Sequence, residues 1–509
     1  MERPALATRP STPAIPAETS RSTPIGGAAW NALAGDAIAD RFPTWALVAT
    51  AIVLATLGTW RAGIELLAWA APVPLALVAA RLRGVRGRAL LWLLCAAAAA
   101  LPAVKIVTAP VSYAFALAYG IPLGTLTFLT LAGWDVVRRR VPAGWAIHAL
   151  AGLIVLADWV GVALTPAGHW ASLAVNHSTN MALLQVASLG GLGLVTLAIA
   201  WPTAAAVVLL LTPAPRRPWR HAAIAAAATV SAIGFGTFRI AGAGEGPTVR
   251  VAAVTVDFPA QLTSMEQLRG AEALLFERSE LAVSRGARVV VWNEVATLVE
   301  PDEEGALVAR AAAFARSHGV DLVAAYGIVR SRQPLRYENV YRWFGPEGAQ
   351  VERYAKHFLP LGEPAIAGTE PLRAYDRPWG RAAGALCYDY DSPSLARAHA
   401  RQGAGVVLLP SSDWRGIDPQ HTEMARVRAI EGGFSILRSV RAATSAAIDP
   451  QGRFRATLSP WEENDRVLVA TIPARQVWTL YSVVGDAPAL ALALALVAGA
   501  LAAGHSPRD

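Results

Sequence analysis

Apolar runs broken by short polar connections fill the first half of the chain, and a shorter period takes over after about residue 240. A helix needs about 20 apolar residues to cross the hydrocarbon core. On that measure the runs predict spans at Thr44–Trp60, Ile64–Ala80, Ala89–Val107, Val111–Trp134, Gly144–Leu164, Met181–Leu211 and His221–Phe238, a seven-helix transmembrane domain over 43–240. A last run predicts an eighth helix over 486–504. Between them, residues 247–475 alternate short β-rich runs with amphipathic helices. VRVAAVTV, RVVVW, DLVAAYGI, NVYRWFG, RAAGALCY, GVVLLPSS and RVLVATIP predict strands by content and length. Met265–Ser284, Glu303–Ser317, Pro393–Arg401 and Pro419–Val440 have helical spacing. The fold class is therefore multi-domain: an α-helical transmembrane bundle of about eight spans plus one α/β domain with helices covering a sheet.

Composition agrees, with 54% hydrophobic residues and a positive mean hydropathy that a soluble domain of this length does not need. The net charge of +8 is explained by topology rather than by a nucleic-acid partner. Ten arginines gather in alternate loops: Arg81, Arg83, Arg86 and Arg88, then Arg138 to Arg140, then Arg216, Arg217 and Arg220. Intervening connections carry only Arg61 and Lys105, and the loop from Thr165 to Asn180 has no charged residue. This bias puts the arginine loops in the cytoplasm and the α/β domain outside. Residues 1–42, rich in Pro, Thr, Ser and Ala, read as a disordered cytoplasmic tail that lacks the pattern of a cleaved signal.

The chain has two cysteines and two lysines. Cys95 lies inside the third span, remote from Cys387, so no disulfide is expected between them. With arginine almost everywhere else, Lys356 in RYAKHFLPLGEP serves a purpose that a wide planar fork does not meet. Glu294 closes VVVWNE, and Cys387 closes a strand-like run in GALCYDYDSP. Taken singly, the cysteine reads as a core filler and the lysine as a surface charge. A carboxylate, an ammonium and a thiol at the ends of three extended segments together read as a base, a charge stabiliser and a nucleophile.

Other polar groups have blander readings. His421, in PQHTEMARVRAIE, reads as a helix-start residue rather than a metal ligand. No pair of His, Cys or Asp has zinc spacing and no Gly-rich phosphate loop precedes a helix, so neither metal nor cofactor is expected. His148 and Asp158 share one apolar run and read either as functional intramembrane groups or as residues paired inside the bundle. Trp60, Trp134, Trp145, Trp159, Trp170 and Trp478 fall near span ends, as interfacial belts do, and Trp170 could face a lipid entry.

Over most of its length after residue 40, the chain resembles the bacterial apolipoprotein N-acyltransferases, polytopic membrane proteins with a nitrilase-type carbon-nitrogen hydrolase domain. VVVWNE is similar to the segment ending in the family's catalytic glutamate, RYAKHFLPLGE to its lysine segment and ALCYDYDSP to its cysteine segment. SSDWRGIDPQHTEMARVRAIEGGFSILRS, WTLYSVVGD, ADWVG and LLQVASLGG extend the likeness. The resemblance implies a four-layer α-β-β-α sandwich on the periplasmic side of the bacterial inner membrane, and a ping-pong reaction. Cys387 would take an acyl chain from the sn-1 ester of a phospholipid as a thioester. The acceptor would be the free amine of a diacylglyceryl-modified cysteine at a lipoprotein N-terminus. Glu294 would handle the protons, Lys356 would stabilise the oxyanion, and Glu363 in PLGEP would support both. Tyr388 would shape the nucleophile turn, and Asp389 would stand as a further supporting carboxylate.

The chain also departs from the family. Asn293 stands where proline is common, Asp389 where glutamate is usual and Gly161 where arginine tends to be, and RAATSAAID lacks the usual Asn-rich strand. The interval from Glu363 to Cys387, which in the family carries part of a mobile apolar flap, is short. A membrane-bound nitrilase-type amidase or acyltransferase acting on another amine therefore stays open. A transporter or a silent lipid-binding scaffold is a third reading. No internal repeat supports the former, and the intact Glu294, Lys356 and Cys387 count against the latter. Substrate-binding residues and oligomeric state are not legible in the sequence.

Overall fold

The computed structural model describes residues 37–165, 167–244, 246–257, 265–462 and 464–505. Most of the expected tail, residues 1–36, lies outside them. Its end is a single 3-10 turn, Ile38–Arg41, which Arg81 holds through the carbonyls of Ala39 and Phe42.

Six described helices are long and apolar enough to cross a membrane: Gly84–Ile106, Ala114–Arg138, Ala143–Leu164, Ala187–Leu211, Trp219–Ala241 and Ala487–His505. The other two expected spans are helical but shorter. Thr44–Gly58 has 15 residues, and Ile64–Ala80 is split into Glu65–Ala70 and Pro72–Arg81, because Pro72 has no N–H to carry the helical ladder across. The run from Met181 to Leu211 is also interrupted, at Gly190 and Gly191. Gly191 has φ of 69°, and a Cβ there would lie 2.5 Å from the Tyr481 ring, so both backbone and neighbour demand glycine. Gly120 and Gly124 let Ala114–Arg138 lie against Ala100 and Ala96 of the preceding helix, the small-residue contact that favours membrane helix pairs.

The two ends of this bundle differ. At one, the buried carboxylate of Asp135 gathers Arg88, Arg138 and Arg139. At the other, the arginine-poor connections meet the α/β domain. Trp414 donates its indole N–H to the Ile106 carbonyl (2.7 Å), Ser178 donates to Glu423 (3.1 Å), and Gln185 donates to the Gln451 carbonyl (3.0 Å).

The α/β domain holds fourteen described strands: β1 Thr248–Val254, β2 Val289–Trp292, β3 Leu298–Val299, β4 Asp321–Arg332, β5 Leu335–Phe344, β6 Gln350–Ala355, β7 Ala365–Ile366, β8 Ala374–Arg377, β9 Gly380–Gly384, β10 Val406–Ser412, β11 Ser435–Arg441, β12 Ser445–Ile448, β13 Phe454–Leu458 and β14 Val467–Pro473. One sheet runs β14-β1-β2-β4-β5-β6, with β3 on β4 and β7 on β5; the other runs β13-β12-β11-β10-β9-β8. The period of two explains the layering. Val249, Val251, Val289 and Val291 point inward to meet Val406, Leu408 and Leu437 of the other sheet. Ala252, Val254, Val290 and Trp292 point outward under the helices Met265–Ser284 and Glu304–His318. On the far side, Val407, Leu409 and Ile436 lie under Pro393–Arg401 and Gln420–Gly432. This is an α-β-β-α sandwich. Strands buried on both faces are apolar throughout, which is why they read as continuous runs rather than as alternation.

Three expected boundaries move. The helix expected over Pro419–Val440 stops at Gly432, because Gly433 turns left-handed (φ 67°) and donates its N–H back to the Ala429 carbonyl; FSILRSV then enters β11. RAAGALCY leaves its sheet after Gly384, so Cys387 opens a 3-10 turn, Cys387–Asp391, rather than closing a strand. VVVW likewise ends at Trp292, two residues before Glu294.

Candidate active site

Three strand ends converge. Glu294 follows β2, Lys356 follows β6 and Cys387 follows β9, and all three side chains are buried. Cys387 has φ of 41°, a left-handed backbone that a side chain normally avoids and that aims the sulfur off the sheet edge. The ammonium of Lys356 bridges two carboxylates, Glu294 Oε1 at 2.8 Å and Glu363 Oε2 at 2.6 Å. Asn339, on β5, donates its amide to the same Glu294 oxygen (2.7 Å) and to Glu363 Oε1 (3.0 Å). Tyr337 adds a hydroxyl to Glu363 at 3.4 Å. The Glu294 backbone N–H donates to the Ser411 carbonyl, one residue before the Ser412 carbonyl that the Cys387 thiol meets at 3.7 Å.

The electrostatics follow from this packing. Burial alone would lower Lys356, but Glu294, Glu363 and then Cys387 hold its ammonium well above the usual lysine value. Burial, followed by the Glu294 and Asp413 carboxylates, pushes the Cys387 thiol well up, with Lys356 and Arg438 opposing. The resting sulfur is therefore a thiol that needs a base beside it before it can attack.

Asp389 sits in the nucleophile turn, fully buried, and the shorter carboxylate finds four donors. They are Tyr354 O–H (2.9 Å), Leu386 N–H (3.1 Å), His357 N–H (3.1 Å) and Phe358 N–H (2.8 Å). Burial raises it to about 7 in spite of them. Tyr388 is half-buried in the same turn. Asn293, in place of proline, donates to the Glu294 carbonyl (3.1 Å) and accepts the Val256 N–H (2.8 Å), which links β1 to the glutamate.

Four polar residues of this region carried no signal that singled them out: Asn339, Asp391, Asp413 and Arg438. Arg438 clamps Asp413 with two 3.0 Å bonds, and His421 lies between Asp413 and Asp391 at 2.9 Å from each. His421 does begin the helix Gln420–Gly432, as expected, but it is buried and ion-paired as well. Two groups of ligand-type side chains share it: His169, Asp391 and His421, and Cys387, Asp413 and His421. Both of its nitrogens already face a carboxylate, so ion pairing accounts for each group without a metal. In the membrane half, Asp158 accepts from Ser172 (2.9 Å), Thr196 (3.0 Å) and the Leu173 N–H (2.7 Å), and His148 contacts His221 (2.8 Å) and Trp201 (2.9 Å). Both are bundle-interior groups with partners. Trp170 reaches Asp391, in the catalytic half (2.8 Å).

Residues 248–479 match the family described as carbon-nitrogen hydrolase. With the two-sheet sandwich and six helices long and apolar enough to cross a membrane, this describes a multi-pass protein whose α/β domain is of the carbon-nitrogen hydrolase, or nitrilase, class. Across both halves the chain resembles the apolipoprotein N-acyltransferases. The one from Bradyrhizobium diazoefficiens is 28% identical over 411 residues, covering 72% of this chain and 75% of its own. The one from Nostoc sp. is 27% identical over 343 residues, covering 62% and 68%. Among solved structures, an amidase from Nesterenkonia sp. aligns over 45% of this chain and 91% of its own, at 19% identity and a TM-score of 0.38.

Proposed function

We propose that the protein moves a fatty acyl chain from a phospholipid to the N-terminal amine of a diacylglyceryl lipoprotein, through a thioester on Cys387. The observation that carries this reading is the Glu294–Lys356–Glu363 ion-pair chain, whose buried members Glu294 and Lys356 act on the Cys387 thiol. Glu294 takes the S–H proton as the sulfur attacks the ester carbonyl. Lys356 faces the oxyanion as a compact positive charge. Collapse of the adduct breaks the ester C–O bond, and the lysophospholipid oxygen leaves with the proton held by Glu294. The acceptor amine then attacks the thioester, its surplus proton passes through Glu294, and sulfur leaves as a thiol. A thioester survives to meet the amine only if water is excluded, which the burial of all three side chains favours. The contacts between the domain and the arginine-poor connections support a periplasmic catalytic side on the inner membrane.

Incubation of the detergent-purified protein with phospholipid should add one acyl chain to the peptide containing Cys387, and a diacylated lipopeptide should discharge it. Absence of the label at an accessible thiol would reject the reading. A second reading, transfer to or hydrolysis of another amine or amide, is favoured by the short interval after Glu363, where β7, β8 and β9 occupy much of the sequence available for a flap. Label without discharge by the lipopeptide selects it.

A further inference from the structure

Acyl transfer through Glu294, Lys356 and Cys387 leaves one buried charge array without a role. Asp413 faces the sulfur at 3.8 Å through Oδ1, the oxygen that also meets His421 Nδ1 (2.9 Å) and Arg438 Nη2 (3.0 Å). On the other side of the imidazole, Nε2 lies 2.9 Å from Asp391 Oδ1. Asp391 Oδ2 accepts the Trp170 indole N–H at 2.8 Å, and His169 Nε2 lies 3.2 Å from Asp391 Oδ1. Trp170 and His169 belong to the connection between two membrane helices. A continuous line of buried contacts thus runs from the membrane half to the thiol: Trp170, Asp391, His421, Asp413, Cys387.

We propose that this array is a positioning device that sets the ionisation of Cys387, with His421 as its charge-bearing centre and the Trp170–Asp391 contact as its link to the membrane half. The inference rests on Cys387 being the nucleophile. Charge counting supplies the reason. With His421 protonated, Asp391, Asp413, Arg438 and His421 carry two negative and two positive charges and cancel. With His421 neutral, one negative charge remains uncompensated beside the sulfur and opposes thiolate formation.

The surroundings favour the protonated form. Burial would lower His421, but Asp413 and Asp391 outweigh it and hold the imidazole up at about 9, with Arg438 opposing. Against burial, which would raise both carboxylates, Arg438 and then His421 hold Asp413, and His421 and then His169 hold Asp391, well below the usual range. His169, Arg438, Tyr119 and Tyr388 are the other charged and titratable groups around Asp391, and His169 itself is pushed down to about 4 by burial, so it adds no charge at neutral pH. Facing the sulfur are Glu294, Asp413, Lys356 and Arg438, with Tyr388 adjacent. Of the two positive charges in the array, His421 and Arg438, that of His421 can be removed by a neutral side chain of similar size.

The test is the pH profile of Cys387 alkylation by iodoacetamide, followed by the mass of its peptide in full-length protein, with thermal melting to check folding. His421→Gln should raise the midpoint by about one unit, which is roughly ten-fold slower alkylation at a fixed pH below it. Asp391→Asn, with Asp413 still holding the imidazolium, leaves the array one positive charge in excess and should lower the midpoint, whereas Trp170→Phe, which removes only the N–H that orients Asp391 and keeps its charge, should raise it by less than His421→Gln does. Unmoved midpoints in folded Asp391→Asn and Trp170→Phe would overturn the proposal, whether or not His421→Gln folds. Lost acyl transfer at an unmoved midpoint would also overturn it, by assigning the array to fold or substrate binding alone. Alkylation reports the thiol and needs no lipid, so failure of the acyl-transfer reading is read out separately.

Discussion

Asp389 Oδ1 accepts the backbone N–H of Phe358 at 2.8 Å, which ties the turn that carries Cys387 to the segment that carries Lys356. The other carboxylate oxygen takes Tyr354 and Leu386. One buried side chain therefore sets the placement of thiol and ammonium relative to each other. Asp389→Ala should strand three backbone N–H groups and a hydroxyl, cost about 2–3 kcal/mol of stability and slow acyl labelling of Cys387 by about 100-fold. Asp389→Asn, which keeps one of the two acceptor oxygens and so two of the four donors paired, should lose less. Equal losses in the two would argue against a positioning role, and single-turnover labelling measures both.

Lys356→Arg should abolish labelling. The site holds one point charge between two carboxylates 2.8 and 2.6 Å away, and a guanidinium placed there must displace one of them. A loss of at least about 100-fold is expected from the missing oxyanion partner. Wild-type rates in this variant would remove lysine from the mechanism. Cys387→Ser should leave no thioester at all.

Asn339 touches Glu294 and Glu363 through one amide nitrogen, so Asn339→Leu should leave both carboxylates short of a donor. The expected cost is about 2–3 kcal/mol in stability and about ten-fold or more in kcat. Its contacts are with the carboxylates rather than with lipid, so KM for phospholipid should stay near the wild-type value. A KM effect alone would place Asn339 in substrate binding instead.

Stability should fall from pH 6.5 to 9. His421 is held at about 9 against 6.5 in its ordinary state, so its contribution is complete below pH 6.5 and is lost as pH rises through 9. That difference is worth about 3 kcal/mol. Melting temperatures at pH 6 and 9.5 should differ more in the wild type than in His421→Gln. Parallel pH dependences in the two proteins would contradict the assignment.

Gly124→Leu should separate two membrane helices. An added Cβ already lies 2.4 Å from Ala96 Cα, so the helices must move apart before any larger side chain fits. Reduced yield of folded protein in detergent, with Gly133→Leu on the same helix unaffected because nothing lies within 4 Å of that position, is the expected contrast.

The sequence alone determined what depends on local pattern. Apolar runs reveal membrane helices because bilayer thickness sets their length; β2, β10 and the first part of β4 could be read because doubly buried strands are nearly continuous apolar runs, and β1, β5 and β14 because of their β-branched and aromatic content. Glu294 and Cys387 stood out because each follows a strand-like apolar run, and Lys356 and Cys387 because lysine and cysteine are rare in this chain. Local pattern failed at Gly433, where helical spacing continued beyond a backbone turn, and at Ile64–Ala80, where hydropathy carried no trace of the break at Pro72. Only the tertiary structure decided the rest. Trp170 and Asp391 are 221 positions apart, and Asp413, just past the end of β10, meets Arg438 on the neighbouring β11, 25 positions further on. A buried charge is stabilised by whatever the fold packs against it, and no spacing along the chain encodes which groups those will be.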